Sequence, residues 1–483
     1  MKLSTLLQGI ETAGFCPDTE ITKVTCDSRQ LKKGDLFICI RGQRFDGHAH
    51  AAEVLERGAA AIVAEQPLPL PGVIRVPDSR EAYAKICANF YGNPQRELTL
   101  AAVTGTSGKT TITCLIRDIL RAAGKKVGLI GTIQGEIGDM IIPARHTTPD
   151  PLQLYSMLSR MRAAGVKTVV MEASSHALDQ QRLAGLRFRC AAFTGLSHEH
   201  LDYHQTMENY YQAKRRLFSQ ADAAVINSDD PYGRRLIEEL TIPLTRYALK
   251  DPAADYTAHS IESGAAGSRF MVMAGSRLMR AQLSMPGSYS VSNALCAAAC
   301  AAQLGVEPEE AFAALSKSAG VPGRMEVIAV PLPFTVIRDY AHTPEEIRSV
   351  LSAVRSFAPA RVVTLFGCPG ERDRTKRPEM ARAVARYSDA AILTSDNPRG
   401  EDPMQIIEDA LAGFQGAKMP VKVFADRYDA IRWALENGRE RDILMLLGKG
   451  HEDYQVLEYG TIFFDERFIV RELVEKMNQG DSI

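Results

Sequence analysis

The 483-residue chain sets 57 Lys and Arg against 58 Asp and Glu, a formal net charge of -1, with 45% hydrophobic and 24% charged residues. This is the composition of a globular protein with room for about three domains, and it excludes the strongly basic balance of a nucleic-acid-binding chain. No apolar run is long enough to span a bilayer, the first residues read as no secretory signal, and the nine cysteines form no C-x-x-C pair, which suits a reducing cytosol.

Residues 1–97 are expected to form a small α/β domain. Residues 1–13 read as an amphipathic helix, 34–40 as a strand, 41–48 as a polar loop, 50–57 as a helix and 60–64 as a strand. Asp78-Ser79-Arg80 caps a helix running to Tyr91, and Gly92-Asn93-Pro94 marks a domain boundary. Asp27-Ser28-Arg29 reads on its own as a capped turn and also suits an anionic ligand.

The second domain, residues 98–321, opens on its most informative stretch. A strand at 98–103 leads into Thr104-Gly105-Thr106-Ser107-Gly108-Lys109-Thr110-Thr111, and a helix follows over 112–123. Glycines between strand and helix let successive N–H groups turn inward on a phosphate, and the helix N-terminus adds partial positive charge. Lys109 reaches the terminal phosphates and the Thr110 hydroxyl can hold Mg²⁺. Val103 stands where a general P-loop has its first glycine, so the loop is a specialised variant.

Further strands are expected at 126–130, 168–172, 190–194 and 223–227, with helices at 151–164 (capped by Asp150), 209–219 and 286–303. The pattern is that of a mostly parallel sheet flanked by helices. Glu172 at a strand tip reads as a solvated end or a Mg²⁺ ligand, and its place after a P-loop favours the metal. Ser197-His198-Glu199-His200-Leu201-Asp202-Tyr203-His204 suggests metal or phosphate chemistry without the spacing of a zinc protease. Cys296 and Cys300 read as core thiols.

In the third domain, 322–483, strands at 334–337, 361–366, 390–394 and 443–447 each run into a charged or glycine-rich loop. The loops are Arg338-Asp339-Tyr340-Ala341-His342, Gly367-Cys368-Pro369-Gly370-Glu371-Arg372, Asp396-Asn397-Pro398-Arg399 and Gly448-Lys449-Gly450-His451-Glu452. An open Rossmann-like sheet would gather them at one edge.

These segments, with Lys214 and Gly323-Arg324-Met325-Glu326, together resemble the Mur ligase family over essentially the whole chain. The resemblance implies a small N-terminal α/β domain, a central P-loop domain and a C-terminal domain that close on one another. It implies an ATP-dependent ligase that extends UDP-MurNAc-L-Ala-D-Glu by a diamino acid through an acyl-phosphate, in the cytoplasm, as a monomer. By resemblance Ser28, Thr147, Thr148, Ser174, Gln180 and Arg182 hold the UDP-linked precursor. Gly105 to Thr111, Asn293, Arg324 and Asp339 hold ATP. Thr110, Glu172, His200 and Lys214, the last as a CO₂-derived carbamate, serve Mg²⁺, and Lys109 and Arg324 offset charge on the transferring phosphoryl.

The amino acid falls by resemblance to Arg372, Asp396, Asn397, Pro398, Arg399, Gly448 and Glu452. Members adding meso-diaminopimelate carry Arg at the position of Arg399, whose fork suits the second carboxylate. Members adding L-Lys usually carry a small residue there. An L-Lys ligase is the alternative. A folylpolyglutamate-synthetase relative is disfavoured by the N-terminal domain, and a P-loop switch by Lys214 and the third-domain loops. Gly195, Glu199 and Cys368-Pro369-Gly370-Glu371 depart from the usual family residues.

Overall fold

The computed structural model describes residues 1–14, 17–42, 45–144, 146–358 and 360–479. Cys16, and Gln43 and Arg44 of the expected polar loop, lie outside them. The chain forms two compact units: Met1–Tyr247 with Cys296–Pro308, and Ala248–Leu295 with Glu309–Ile483.

The first unit contains a small parallel sheet in the order Val24–Thr25, Leu36–Ile38, Ala61–Ala64, Val73–Arg75. Its strands are buried on both faces, with the alternation that pleating imposes. Phe37 and Ile62 pack with Leu31 and Val54, whereas Leu36, Ile38 and Val63 join Tyr83 and Ile86 in the larger core. The helix expected over residues 1–13 is only Leu3–Leu6. Backbone pairing takes over from periodicity here: Leu3 N donates to Thr19 O, Ile21 N to Met1 O and Ala13 N to Arg75 O. Gly9, at φ 73, turns the chain after that single turn.

The larger sheet of this unit is centred on Thr99–Thr104, which lies between Cys190–Phe193 and Thr168–Glu172. Ala224–Asn227 and Leu244–Ala248 continue it on one side and Val127–Ile130 on the other, all parallel. An antiparallel hairpin, Gln134–Ile137 and Met140–Pro143, extends that edge and was not expected. The helix Lys109–Ala122 buries Ile112, Leu115, Ile116, Ile119 and Leu120, one face at helical spacing. Asp150 caps the helix Pro151–Ala163 by accepting from Gln153 N, and Asp78 accepts from Arg80 N and Glu81 N, both as expected.

The second unit holds a sheet in the order Glu326–Ile328, Thr335–Asp339, Ile443–Leu447, Val362–Cys368, Ala390–Ser395, Val421–Val423, parallel after its first antiparallel pair. Alternate residues face opposite layers. Ile337, Phe366, Leu393 and Met445 pack with Ile347, Leu351, Met380 and Ile406, while Val336, Leu365, Ile392 and Leu444 pack with Ile431, Leu435, Val470 and Leu473. The strands that carry the four expected loops are adjacent and parallel, so the loops leave from one edge. The unit also contains the antiparallel strands Tyr256–Gly264, Gly267–Ala274 and Arg277–Leu283.

Arg427 ties two of these strand ends together. Its buried guanidinium donates to Glu466 Oε1 at 2.9 and 2.7 Å, to Ser395 O at 3.2 Å and to Leu447 O at 2.7 Å. Removing one partner of a buried pair leaves an uncompensated charge and costs about 3–5 kcal/mol. Arg427→Ala is therefore expected to lower the urea-unfolding free energy by about that amount. A loss under about 1 kcal/mol, the level of an exposed pair, would refute this.

Candidate active site

The phosphate cradle is held by the neighbouring strand tip. Gly105, at φ 149, lies so close to Thr194 that a Cβ would fall 1.8 Å from Thr194 Oγ1, so only glycine fits. Thr194 Oγ1 donates to Ser107 O at 2.6 Å, and Thr106 N donates to Gly195 O at 2.9 Å. Gly195 itself has φ 135, and a Cβ there would meet Asp230 Oδ2 at 2.9 Å, so Asp230 occupies the space a side chain would take. Gly108, at φ 85, precedes the helix whose first residues are Lys109 and Thr110. Lys109 Nζ folds over the loop to Gly105 O at 2.9 Å and Thr106 O at 2.7 Å.

Beside the cradle, Glu172 ends the adjacent strand with only 1% of its surface exposed. Its Oε2 accepts from Thr110 Oγ1 and Thr132 Oγ1, each at 3.0 Å, and its Oε1 accepts from Thr132 N at 2.7 Å. A hydroxyl and a carboxylate converging at a helix N-terminus form an oxygen donor set suited to a hard cation. Thr132 carries no signal of its own in the sequence. Its role follows from the parallel pairing of Val127–Ile130 with Thr168–Glu172, which brings both strand tips to the same point.

Lys214, on the helix Met207–Arg215, is 1% exposed and donates to Gly105 O at 2.7 Å, with its Nζ 4.7 Å from the centroid of Tyr210. Burial, and then the nearby Lys109 cation, drive its amine far below the usual lysine range. His200 adopts φ 57, and its ring lies 4.9 Å from His176 and 6.1 Å from Tyr210. Burial, then His176, Lys109 and Lys214, push its pKa down to about 4. His200 is thus a neutral imidazole near pH 7 and presents a lone pair.

The residues expected at the precursor, apart from Ser28, form one network with Glu172. Thr148 Oγ1 donates to Glu172 O at 2.7 Å and accepts from Ser174 N at 3.0 Å. Arg182 donates to Thr148 O at 2.9 Å and to Gln180 Oε1, while Thr147 Oγ1 lies 3.0 Å from Thr132 Oγ1. Gln180 Nε2 reaches the Tyr203 hydroxyl at 3.3 Å, a partner with no sequence signal beyond its place in the histidine-rich run. Ser28 lies in the small sheet's loop, buried, with its carbonyl accepting from Arg57. Arg29 turns back onto Asp27 with a two-pronged pair at 2.9 and 3.0 Å.

In the second unit, Asp339 is buried and its carboxylate accepts from Met325 N at 2.7 Å and Ala341 N at 2.9 Å, fixing the turn that carries Arg324. Burial raises its pKa, and the Arg324 cation opposes that. Arg324 stacks 4.9 Å over Tyr340, with its Nε buried and unbonded among the described residues. Asn293 lies on the helix Ser288–Gln303.

The loops expected to take the amino acid are bound to each other. Asp396 and Asn397 are buried, and Asn397 Nδ2 donates to Glu452 Oε2 at 3.0 Å. Arg399, at φ 57, has its backbone N on Val456 O at 3.0 Å. Gly370 N donates to Asn397 O at 2.9 Å, and a Cβ on Gly370 would meet Pro398 O at 1.9 Å. The Cys368-Pro369-Gly370-Glu371 departure therefore keeps the one glycine that this contact requires. Glu401 accepts from Arg374, Arg377 and the Glu371 amide, holding the loop that carries Arg372 against the Asn397-Pro398-Arg399 turn.

His451 gives this unit a pH signature. Its Nδ1 is buried without a partner among the described residues, and burial, then Arg324, Arg338 and Lys449, push its pKa down to about 3. The unfolded histidine binds its proton near pH 6.5, but the folded one does so only near 3. Its contribution is fully present above about pH 6.5 and is lost as the pH falls through that window. The melting temperature of the native chain is expected to fall more steeply from pH 6.5 to 4 than that of His451→Gln. Parallel curves would refute it.

Residues 103–301 match the Mur ligase middle domain, 323–450 match "Mur ligase, glutamate ligase domain", and 20–91 match "Mur ligase family, catalytic domain". The UDP-N-acetylmuramoyl-L-alanyl-D-glutamate–2,6-diaminopimelate ligase of Syntrophomonas wolfei is 40% identical over 485 residues, 98% of this chain and 99% of that protein. The protein of the same name from Geobacillus thermodenitrificans is 42% identical over 490 residues, 99% of this chain and 100% of its own. A solved structure of a ligase with this name aligns with a TM-score of 0.72 at 31% identity, covering 99% of each chain.

Proposed function

The chain belongs to the Mur ligase family, and on that premise we propose that it joins meso-diaminopimelate to the D-Glu of UDP-MurNAc-L-Ala-D-Glu with ATP, a step in making peptidoglycan precursors. The observation that carries the reading is the junction of the phosphate cradle with the Thr110–Glu172 pair and the buried Lys214 amine. In this reading residues 1–97 hold the UDP-sugar end through Ser28, 98–321 hold ATP, and 322–483 hold the amino acid. The enzyme works in the cytoplasm as a monomer.

Lys109, Arg324, Asn293 and Asp339 serve the nucleotide, and Thr147, Thr148, Ser174, Gln180 and Arg182 orient the dipeptide. In its uncharged form, which burial favours, the Lys214 amine adds to CO₂ and releases a proton, becoming a carbamate. That anion, with Thr110, Glu172 and His200, would hold Mg²⁺. Among the described residues no three His, Cys, Asp or Glu gather as a metal site, so a hydroxyl, a carbamate and the phosphates are needed to complete the donor set. Bound Mg²⁺ would offset charge on the transferring phosphoryl.

The D-Glu carboxylate attacks the γ-phosphorus, the bond to ADP breaks, and an acyl-phosphate forms. The diamino acid's amine then attacks the acyl carbon, phosphate leaves and the amine loses a proton. Arg399 grips the distal carboxylate and Glu452 the distal ammonium, with Arg372, Asp396, Asn397, Pro398 and Gly448 shaping the pocket.

The test supplies ATP, Mg²⁺ and the UDP-dipeptide, adds amino acids singly and measures phosphate. Release that depends on meso-diaminopimelate is expected. Preference for L-Lys would overturn the substrate, and release without any acceptor would overturn the ligase reading.

A further inference from the structure

The cluster of Lys449, Asn397 and Glu452 carries an inference that rests on assigning Asn397 and Glu452 to the diamino acid. Lys449 has no exposed surface, and its Nζ donates to Asn397 Oδ1 and to Glu452 Oε2, both at 2.9 Å. It also sits 5.4 Å from the centroid of the Tyr454 ring. Burying an ammonium costs several kcal/mol unless it is paired. Among the described residues its partners are Asn397 and Glu452 of the loop cluster, so the cation serves to arrange them rather than the core.

The chain is shaped to place it there. Gly448, at φ 107, approaches Asp396 so closely that a Cβ would fall 2.6 Å from its Oδ2, and a Cβ on Gly450, at φ 51, would fall 2.6 Å from Tyr340 Cβ. The two glycines press the segment inward and send the Lys449 side chain under the loops. Asn397 Oδ1 accepts from Val456 N at 3.0 Å as well as from Lys449, and its Nδ2 donates to Glu452 Oε2 at 3.0 Å. Lys449 thereby fixes which end of the amide faces Glu452. The two donors on Oε2 set the rotation of the carboxylate.

We propose that Lys449 is a positioning residue that tunes selectivity for the diamino acid. It holds Asn397 and Glu452 in one arrangement before the substrate arrives, which removes an ordering cost from binding. It also balances the Glu452 charge. The far end of meso-diaminopimelate is an ammonium beside a carboxylate and carries no net charge. The far end of L-Lys is a bare ammonium, which gains less from a carboxylate that is already paired. Lys449 therefore weakens the pull on L-Lys more than the pull on diaminopimelate.

The test compares Lys449→Met, Glu452→Gln and the double variant by steady-state kinetics. Lys449→Met is expected to raise KM for meso-diaminopimelate by about tenfold or more, the effect typical of a group orienting a ligating one. kcat and the KM values for ATP and the UDP-dipeptide should stay within about threefold, and the diaminopimelate-to-L-Lys ratio of kcat/KM should fall. The double variant buries no unpaired charge, so it folds even where Lys449→Met does not. Its KM should rise above that of Glu452→Gln by less than Lys449→Met raises it on the native background, because part of the Lys449 effect passes through that carboxylate. An unchanged diaminopimelate KM in Lys449→Met, or a double variant whose KM exceeds that of Glu452→Gln by the full Lys449→Met factor, would overturn the proposal. An unchanged KM in Glu452→Gln would instead overturn the assignment of the pocket.

Discussion

Lys214→Ala is expected to lower kcat for phosphate release by about 10²- to 10³-fold, the cost of losing one preorganised group at the transferring phosphoryl. The side chain is buried and donates to the Gly105 carbonyl, and burial pushes its amine below the usual lysine range. Removing it leaves a small cavity and a carbonyl short of one donor, which the fold should survive. The loss should therefore appear in kcat at an unchanged far-UV spectrum. A short carboxylic acid added to the variant should restore part of the rate by placing a carboxylate where the carbamate stood. Full activity in Lys214→Ala would reject the metal role. A dead variant that no carboxylic acid rescues would reject the carbamate.

Arg399→Ala should act on the other substrate. Truncating one partner of a hydrogen-bonded charge pair costs about 2–5 kcal/mol, so kcat/KM for meso-diaminopimelate should fall about 30- to 5,000-fold. L-Lys lacks the second carboxylate, so its kcat/KM should change little and the preference for diaminopimelate should shrink. Arg399 stands in the left-handed region with its amide on Val456 O, and alanine keeps the Cβ that Arg already carries there, so the backbone strain is unchanged. Arg399→Lys keeps the charge without the fork and should recover only part of the rate. Equal losses for both amino acids would reduce Arg399 to a turn residue.

Much of this was legible because local and long-range signals agreed. The strand, glycine turn and helix around Lys109, the Thr168–Glu172 strand and the Asp150 cap all appear where apolar spacing and turn residues place them. The loops at Asp339, Asp396 and Gly448 gather at one sheet edge because parallel strands leave no other place for them.

Where reading failed, the cause was pairing between distant segments. Leu3, Leu6, Leu7 and Ile10 have helical spacing, but the backbone of Met1, Leu3 and Ala13 around them pairs with residues 21, 19 and 75. The hairpin Gln134–Ile137 and Met140–Pro143 turns at Gly138, φ 59, and its second strand is largely exposed, so it lacks a hydrophobic signature. In Gly267–Ala274 the buried residues Ser268, Phe270, Val272 and Ala274 do alternate, a period-two signal that was present and passed over. Thr132 lies in no motif, and Lys449 stands in the Gly448–Glu452 loop without a role that the motif assigns. One gains its role from strand adjacency and the other from two glycines that turn it inward.

The account depends most on the D-Glu carboxylate attacking the γ-phosphate. The direct measurement is to label that carboxylate of the UDP-dipeptide with ¹⁸O, run the complete reaction with meso-diaminopimelate, and analyse the released phosphate by mass spectrometry. One labelled oxygen in each phosphate is predicted. Unlabelled phosphate, with one label atom in the new amide and the other lost to water, would contradict it.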